Sequence, residues 1–235
     1  MPLFSCSFPY SGTPTLRLGV ATGHRISEYA DRADFPMQTV CVSERIELMD
    51  FQKLTFRRFN GEDQPGVIGV IAECYREYGQ AMELETLDDD LRRIREIYES
   101  PGSMFHVLVD AGCVVGTVAV KRVSSNEAEL KRLFLDARYR ERGLGKRMTL
   151  WAIDWASERG YETLHIWSDV LYTKAHELYR RLGADDTGQR RFLGGVDRID
   201  EFYFSVRDLQ RWSATRSREE ENGDSRGTVR DDAER

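Results

Sequence analysis

The stretch K-R-L-F-L-D-A-R-Y-R-E-R-G-L-G-K, residues Lys131 to Lys146, decides the reading of this chain. It starts apolar, as a strand does, turns through a charged loop and enters a helix at a pair of glycines. Arg140, Gly143 and Gly145 stand in the order R-x-x-G-x-G. Glycine tolerates positive φ and leaves no Cβ in the way of a ligand. The first amides of a helix point outward without intrahelical partners, with the positive end of the helix dipole behind them. A phosphate or pyrophosphate is the natural occupant. The bland alternative is a solvated basic turn.

Working outward, Leu144, Met148, Trp151, Ala152 and Trp155 form one apolar stripe, which predicts a helix over Gly143–Arg159 with its tryptophans in the core. Gly160 ends it. Glu162–Ser168 alternates as a strand. Lys174–Leu182 is a second helix, striped by Ala175, Leu178, Tyr179 and Leu182 and capped by Gly183. Upstream, Met104–Val109, Cys113–Val123 and Glu127–Leu135 read as three strands joined by the turns Asp110-Ala111-Gly112 and Ser124-Ser125-Asn126. Before them come a strand over Leu54–Phe59, a helix from Asp63 and Pro65 to Gly79, and a helical segment over Asp88–Glu99 stopped by Pro101-Gly102. Arg190–Leu193 and Glu201–Val206 read as a closing hairpin. Antiparallel strands packed by helices make an α+β sheet.

Residues 1–48 show no sustained period and are expected to be a disordered extension; Met49 stands just before the first strand and is a candidate start of translation, which intact mass of the native protein would decide. The domain is expected over residues 49–208. From Leu209 to residue 235, charged and small residues dominate, and a disordered tail is expected.

Charged residues make up 31% of the chain and hydrophobic residues 40%, as in a soluble globular protein. A formal net charge of -6 argues against a general nucleic-acid binder. The four cysteines are scattered, with no spacing suited to zinc, so no metal site is expected, and a reduced, cytoplasmic setting fits. No apolar run approaches about 18 residues, so no membrane span is expected.

Two patterns in register carry a family resemblance. The loop above has the form Q/R-x-x-G-x-G/A between a strand and a helix. Tyr172 to Ala184, Y-T-K-A-H-E-L-Y-R-R-L-G-A, follows the form N-x-x-A-x-x-x-Y-x-x-x-G-F. Over residues 127–183 the chain resembles the GNAT superfamily of acyl-CoA-dependent N-acetyltransferases, with less specific similarity from Leu54 to Asp208. The resemblance implies a mixed, mainly antiparallel sheet of six or seven strands, flanked by about four helices, with the fourth and fifth strands splayed into a cleft. It implies acetyl-CoA as acyl donor and an amine as acceptor, joined by direct attack in a ternary complex. No cysteine falls in the matched motifs, so no protein nucleophile is indicated.

The resemblance also assigns residues. The pyrophosphate would sit on the amides of Arg140, Glu141, Arg142, Gly143, Leu144 and Gly145, with Lys146 at the edge and the arginines adding charge. The pantetheine arm would pair with the backbone of Leu133, Phe134 and Leu135, and one amide there would polarise the thioester carbonyl. Glu129 is the candidate general base; otherwise it is a surface glutamate paired with Lys131 or Arg132. Tyr179 is the candidate acid for the departing thiolate, or else a packed ring. Tyr172 stands where the family often has an asparagine on the pantetheine arm. Tyrosine offers one hydroxyl in place of an amide's donor and acceptor. Ala184 likewise replaces the usual aromatic. These departures sustain a second reading, a degenerate acyl-CoA-binding or protein-interaction module. Residues 63–100 and 186–202 would shape the acceptor site, where Tyr75, Tyr78, Glu83 and Glu85 are candidates. The acceptor and the choice between monomer and homodimer stay open.

Overall fold

The computed structural model describes residues 54–224. The expected extension over residues 1–48 lies outside the described residues. Seven strands form one sheet: β1 (Thr55–Arg58), β2 (Met104–Asp110), β3 (Cys113–Arg122), β4 (Glu127–Leu135), β5 (Thr163–Asp169), β6 (Asp185–Gly194) and β7 (Ile199–Arg207). Their order is β1-β2-β3-β4-β5-β7-β6. Only β4 and β5 pair in parallel, because α3 (Leu144–Glu158) carries the chain across the sheet between them. The other helices are α1 (Gln64–Glu77), α2 (Ile94–Tyr98), α4 (Thr173–Arg181) and α5 (Leu209–Asp224). Among the described residues no helix is long and apolar enough to cross a membrane.

The strand registers divide the helices between the two faces. Phe105, Val107, Val109 and Ala119 pack with Val67, Ile71, Leu91, Ile94 and Tyr98, so α1 and α2 cover one face of β1 to β4. His106, one residue out of phase, meets Trp151 of α3 on the other face, and Phe204 of β7 meets His176 and Tyr179 of α4 there. On the α1 side, no helix among the described residues covers β5 to β7, which leaves a cleft.

Several expectations change. The stripe of α3 widens to include the buried Thr149, Ile153 and Ala156, because α5 packs on this helix as well as the sheet, while Trp151 is half-buried. The expected helix over Asp88–Glu99 is a 3-10 turn, Asp89–Arg92, and then α2. Asp88 and Asp90 point inward to an arginine, and Arg93 at φ -123° breaks the helical path. The closing hairpin is longer than its apolar residues suggested, because β6 is an exposed edge strand and polar edges are the rule. The expected tail from Leu209 is corrected for its first part. Leu209 is fully buried, Trp212 Nε1 donates to the Leu182 carbonyl at 3.0 Å, and Ser213 and Arg216 bond Asp154. The charged composition hid an amphipathic turn that three such anchors hold.

Candidate active site

The cleft begins with a fault in β4. Thr117 pairs with Phe134 and Ala119 with Lys131, so Val118 alone opposes Arg132 and Leu133. Arg132 takes the extra place at φ 52°, and its carbonyl accepts from Thr117 Oγ1 at 2.7 Å. A bulge bends and twists its strand. Pairing of β4 with β5 accordingly ends at Leu130–Ile166, and both strands run on unpaired with each other, β4 to Leu135 and β5 to Asp169.

The bulge also turns the Arg132 side chain under α1. Its guanidinium bonds Asp88 Oδ1 at 2.7 Å, Asp90 Oδ2 at 2.9 Å and the Tyr75 hydroxyl at 3.1 Å. Tyr98 donates to Asp90 at 2.5 Å, and the Glu83 amide to Asp88 at 2.8 Å. Burial opposes the charge on Arg132, but Asp90 and Asp88 outweigh it and keep the guanidinium protonated. Burial likewise opposes the Asp90 carboxylate, and Arg132 holds it below the ordinary range. The α1–α2 connection is thereby fastened to the strand that flanks the gap. Tyr75 belongs to this network.

At the far end of β4 a 3-10 turn, Ala137–Tyr139, leads into the glycine loop, and Tyr139 anchors it on Asp110 at 2.7 Å. Glu141 at φ 62° and Gly143 at φ 77° turn the chain into α3. Gly143 is the N-cap residue and no side chain caps the helix. The amides of Leu144, Gly145 and Lys146 therefore open α3 without intrahelical acceptors. A Cβ built on Gly143 or Gly145 meets nothing within 4 Å, so both face open space. This is a cradle that suits a pyrophosphate. Arg142 and Lys146 are exposed beside it. Arg140 is not turned outward: Nε donates to the Leu135 carbonyl at 2.8 Å, and the rest of the guanidinium pairs with Glu77 and lies 3.3 Å from Cys74 Sγ. Its side chain braces the loop on α1. Glu141 pairs with Lys174 at 2.8 Å on the surface.

One cavity of about 140 Å3 joins the gap to the uncovered face. Glu129 and Tyr179 both line it, from opposite faces of the sheet. Glu129 lies 3.6 Å from Lys131 Nζ and 3.7 Å from an Arg191 nitrogen; Arg132, the other expected neighbour, is committed to Asp88 and Asp90. The Tyr179 ring packs on Phe204, and its hydroxyl has no hydrogen-bond partner among the described residues. Burial pushes its pKa up, so the phenol stays protonated. Leu133 and Phe134 line the cavity between them. The Leu135 carbonyl is taken by Arg140, which leaves the backbone around Leu133 as the open edge.

Tyr172 lines the same cavity but gives its hydroxyl to Gln80 Oε1 at 2.8 Å, and Gln80 Nε2 donates to Asp169 at 2.6 Å. Its ring stands edge-on to Tyr78 and Phe134. It therefore closes the wall by tying α4 to the segment after α1. Glu85 pairs with Arg92 on the surface, whereas Glu83 lines the cavity.

Residues 186–202 were expected to shape the acceptor site, but Arg191 and Glu201 within them, and Trp167 in β5, were not singled out. Arg191 lies over Trp167 at 4.3 Å and pairs with Glu201 at 2.5 Å. Their alternation in β5, β6 and β7 was the available signal, but the pairing of three distant segments decides which face is lined. Two further bonds close the end of the cleft. The Val196 amide donates to Glu83 at 2.7 Å and the Ala81 amide to Asp197 at 2.6 Å, so the tip of the β6–β7 hairpin is clasped to the α1–α2 connection.

Comparison with known proteins gives a consistent picture. The family model described as Acetyltransferase (GNAT) family matches residues 71–184. The chain is 27% identical to the uncharacterized N-acetyltransferase YjgM of Escherichia coli over 137 residues, 56% of this chain and 82% of that protein. It is 32% identical to the N-acetylaspartate synthetase of Danio rerio over 127 residues, 52% of this chain and 45% of that protein, so it spans less than half of the synthetase. Among solved structures, an acetyltransferase from Streptococcus agalactiae superposes with a TM-score of 0.57 at 17% identity, covering 67% of this chain and 99% of that one. The structure of yncA, a putative acetyltransferase from Salmonella typhimurium with its cofactor acetyl-CoA, gives a TM-score of 0.52 at 16% identity, covering 66% and 94%.

Proposed function

From the premise that this chain belongs to the GNAT family of acetyltransferases, we propose that it moves the acetyl group of acetyl-CoA onto the primary amine of a small acceptor by direct attack. The observation that carries this reading is the gap between β4 and β5 beside an open helix start. The amides of residues 141–145 take the pyrophosphate, with Arg142 and Lys146 adding charge; the Arg140 amide, expected to join them, is instead bonded to the Ala137 carbonyl at 3.2 Å, and its side chain braces the loop. The pantetheine arm lies along β4 between Leu133 and Leu135, and the thioester carbonyl accepts from a backbone amide there.

The amine nitrogen attacks the carbonyl carbon from the α1 side, where Glu129 takes its proton directly or through a water. The C–S bond breaks as the tetrahedral adduct collapses, and the thiolate takes a proton from Tyr179 on the α4 side. Solvent then exchanges one proton between the two groups, leaving amide and free CoA. The small cavity and the clasped hairpin support a small acceptor. The name of the N-acetylaspartate synthetases supports an acceptor that carries a carboxylate, while in the wall Lys131 and Arg191 are met by Glu129 and Glu201.

Calorimetric titration with acetyl-CoA, CoA and ATP tests the donor. Saturable binding of both CoA species and none of ATP is expected. Failure of both to bind a folded sample moves the protein to a degenerate module. Gly143→Asp is expected to abolish that binding, through charge repulsion and a side chain in the cradle. Turnover with aspartate against its decarboxylated analogues then tests the acceptor class.

A further inference from the structure

On the uncovered face, four strands bring one guanidinium between two carboxylates and an aromatic ring. The registers set Glu129 opposite His165, Trp167 opposite Tyr203, and both Asp169 and Arg191 opposite Glu201, so Glu129, Trp167, Glu201 and Arg191 share that face. The Arg191 guanidinium lies 4.3 Å over the centre of the Trp167 ring, its Nε donates to Glu201 at 2.5 Å, and a second nitrogen lies 3.7 Å from Glu129. The Glu129 and Glu201 side chains are 17% and 14% exposed, that of Arg191 34%. An aromatic face flanked by carboxylates is a receptor for an organic cation. Here the cation comes from β6, an edge strand with solvent beside it. The cavity also holds two carboxylates that meet no cation among the described residues: Asp169, bonded by Gln80 and the Leu171 amide, and Glu83, bonded by the Val196 amide. Such a wall favours a positive ligand.

We propose that Arg191 stands in for the acceptor's ammonium: Glu129, Glu201 and the Trp167 face are the seat of the incoming cation, and the Arg191 side chain yields it to solvent when the amine binds. The inference rests on the reading of Glu129 as the base. A primary amine of pKa about 10 arrives almost wholly protonated near neutral pH. Beside an undisturbed Glu129 it would be a third cation on one carboxylate, after Lys131 and Arg191. Exchange with Arg191 leaves the charge of the seat unchanged, and in the empty protein Arg191 spares two largely buried carboxylates from standing unpaired. The pairing of Arg191 with Glu201 between β6 and β7 holds the backbone, so only the side chain has to move. One proton leaves the seated ammonium for solvent before attack, and the second passes to Glu129 as above. Arg191 therefore sets which groups enter: a compact cation displaces it, whereas an anion meets two carboxylates, so an acceptor's own carboxylate has to lie outside this seat.

The test is an NMR titration of the full chain saturated with CoA, following the indole N–H of Trp167, identified by its loss in Trp167→Phe. The probes are n-butylammonium and, separately, butyrate. n-Butylammonium is expected to shift the Trp167 signal saturably, and Arg191→Ala to tighten its binding about five- to tenfold at low salt, with the gain shrinking as salt rises. Arg191→Lys, which keeps a cation, is expected to stay near the native affinity, and Arg191→Ala combined with Glu201→Gln to lose most of the gain. An Arg191 that only supported the structure would weaken binding on removal. Its side chain is partly exposed on an edge strand, so these variants are expected to fold. Unchanged or weaker n-butylammonium binding in Arg191→Ala overturns the inference and leaves the donor reading standing. So does a butyrate shift of Trp167 that is present in the native protein and lost in Arg191→Ala, which would make Arg191 the partner of an acceptor carboxylate. Failure of n-butylammonium to shift Trp167 in either protein does the same. A folded sample that does not bind CoA overturns both.

Discussion

At the scale of single residues, burial sets what Tyr179 and His106 can do. Among the described residues the Tyr179 hydroxyl has no partner, and burial raises its pKa, so the phenol stays protonated throughout the neutral range. Tyr179→Phe is expected to lower kcat by about a hundredfold while acetyl-CoA binding by calorimetry is unchanged, and no loss of kcat below about pH 10 should trace to this phenol. His106 lies between β2 and α3 against Trp151 and Phe56, and its Nδ1 is buried without a partner. Burial, then the charges of Arg58 and Arg159, lower its pKa from 6.5 to about 4. The unfolded chain takes up this proton first as pH falls. Stability present above pH 6.5 is therefore lost progressively down to about pH 4, by up to about 3 kcal/mol. Urea midpoints should fall between about pH 7.5 and 4.5 in the native protein and fall less in His106→Gln. The motif positions in the sequence were enough to single out Glu129 and Tyr179 as candidates. Arg191 was not legible, because its place depends on a register between strands.

At the scale of elements, the bulge in β4 is the feature on which the cleft depends. Its sequence, K-R-L-F-L, carries no glycine to announce a left-handed residue, and Arg132 there looked like one more surface charge. What compensates the strained φ is a buried network across two other segments, invisible to any local pattern. Removing the guanidinium leaves Asp88 and Asp90 buried without a counter-charge. Arg132→Met is expected to cost about 3–5 kcal/mol in urea unfolding, and adding Asp88→Asn and Asp90→Asn should restore part of it. The helices α1, α3 and α4 were legible because apolar stripes or caps state them. The edge strand β6 was not, because its exposed residues follow solubility more than pairing.

At the scale of the whole molecule, a mixed, mainly antiparallel sheet followed from the resemblance, whereas the strand order and the role of α5 did not. The composition of α5 reads as solvated, yet its first two turns carry buried contacts. Ending the chain after Asp208 is expected to cost about 3 kcal/mol or more, seen as a lower Tm, since Leu209 and much of the Trp212 ring return to water. The clasp between the hairpin tip and the α1–α2 connection has a consequence for the order of assembly. Its two bonds join residues 116 and 113 positions apart, so the loop it closes spans most of the domain. Contacts that close long loops form late, and synthesis proceeds from the N-terminus. The glycine loop and the start of α3 are complete once α3 has left the ribosome, but the far wall of the cleft waits for the hairpin. A nascent chain halted after α4 would have a cleft open on one side, with the Glu83 and Ala81 ends of the clasp unmet.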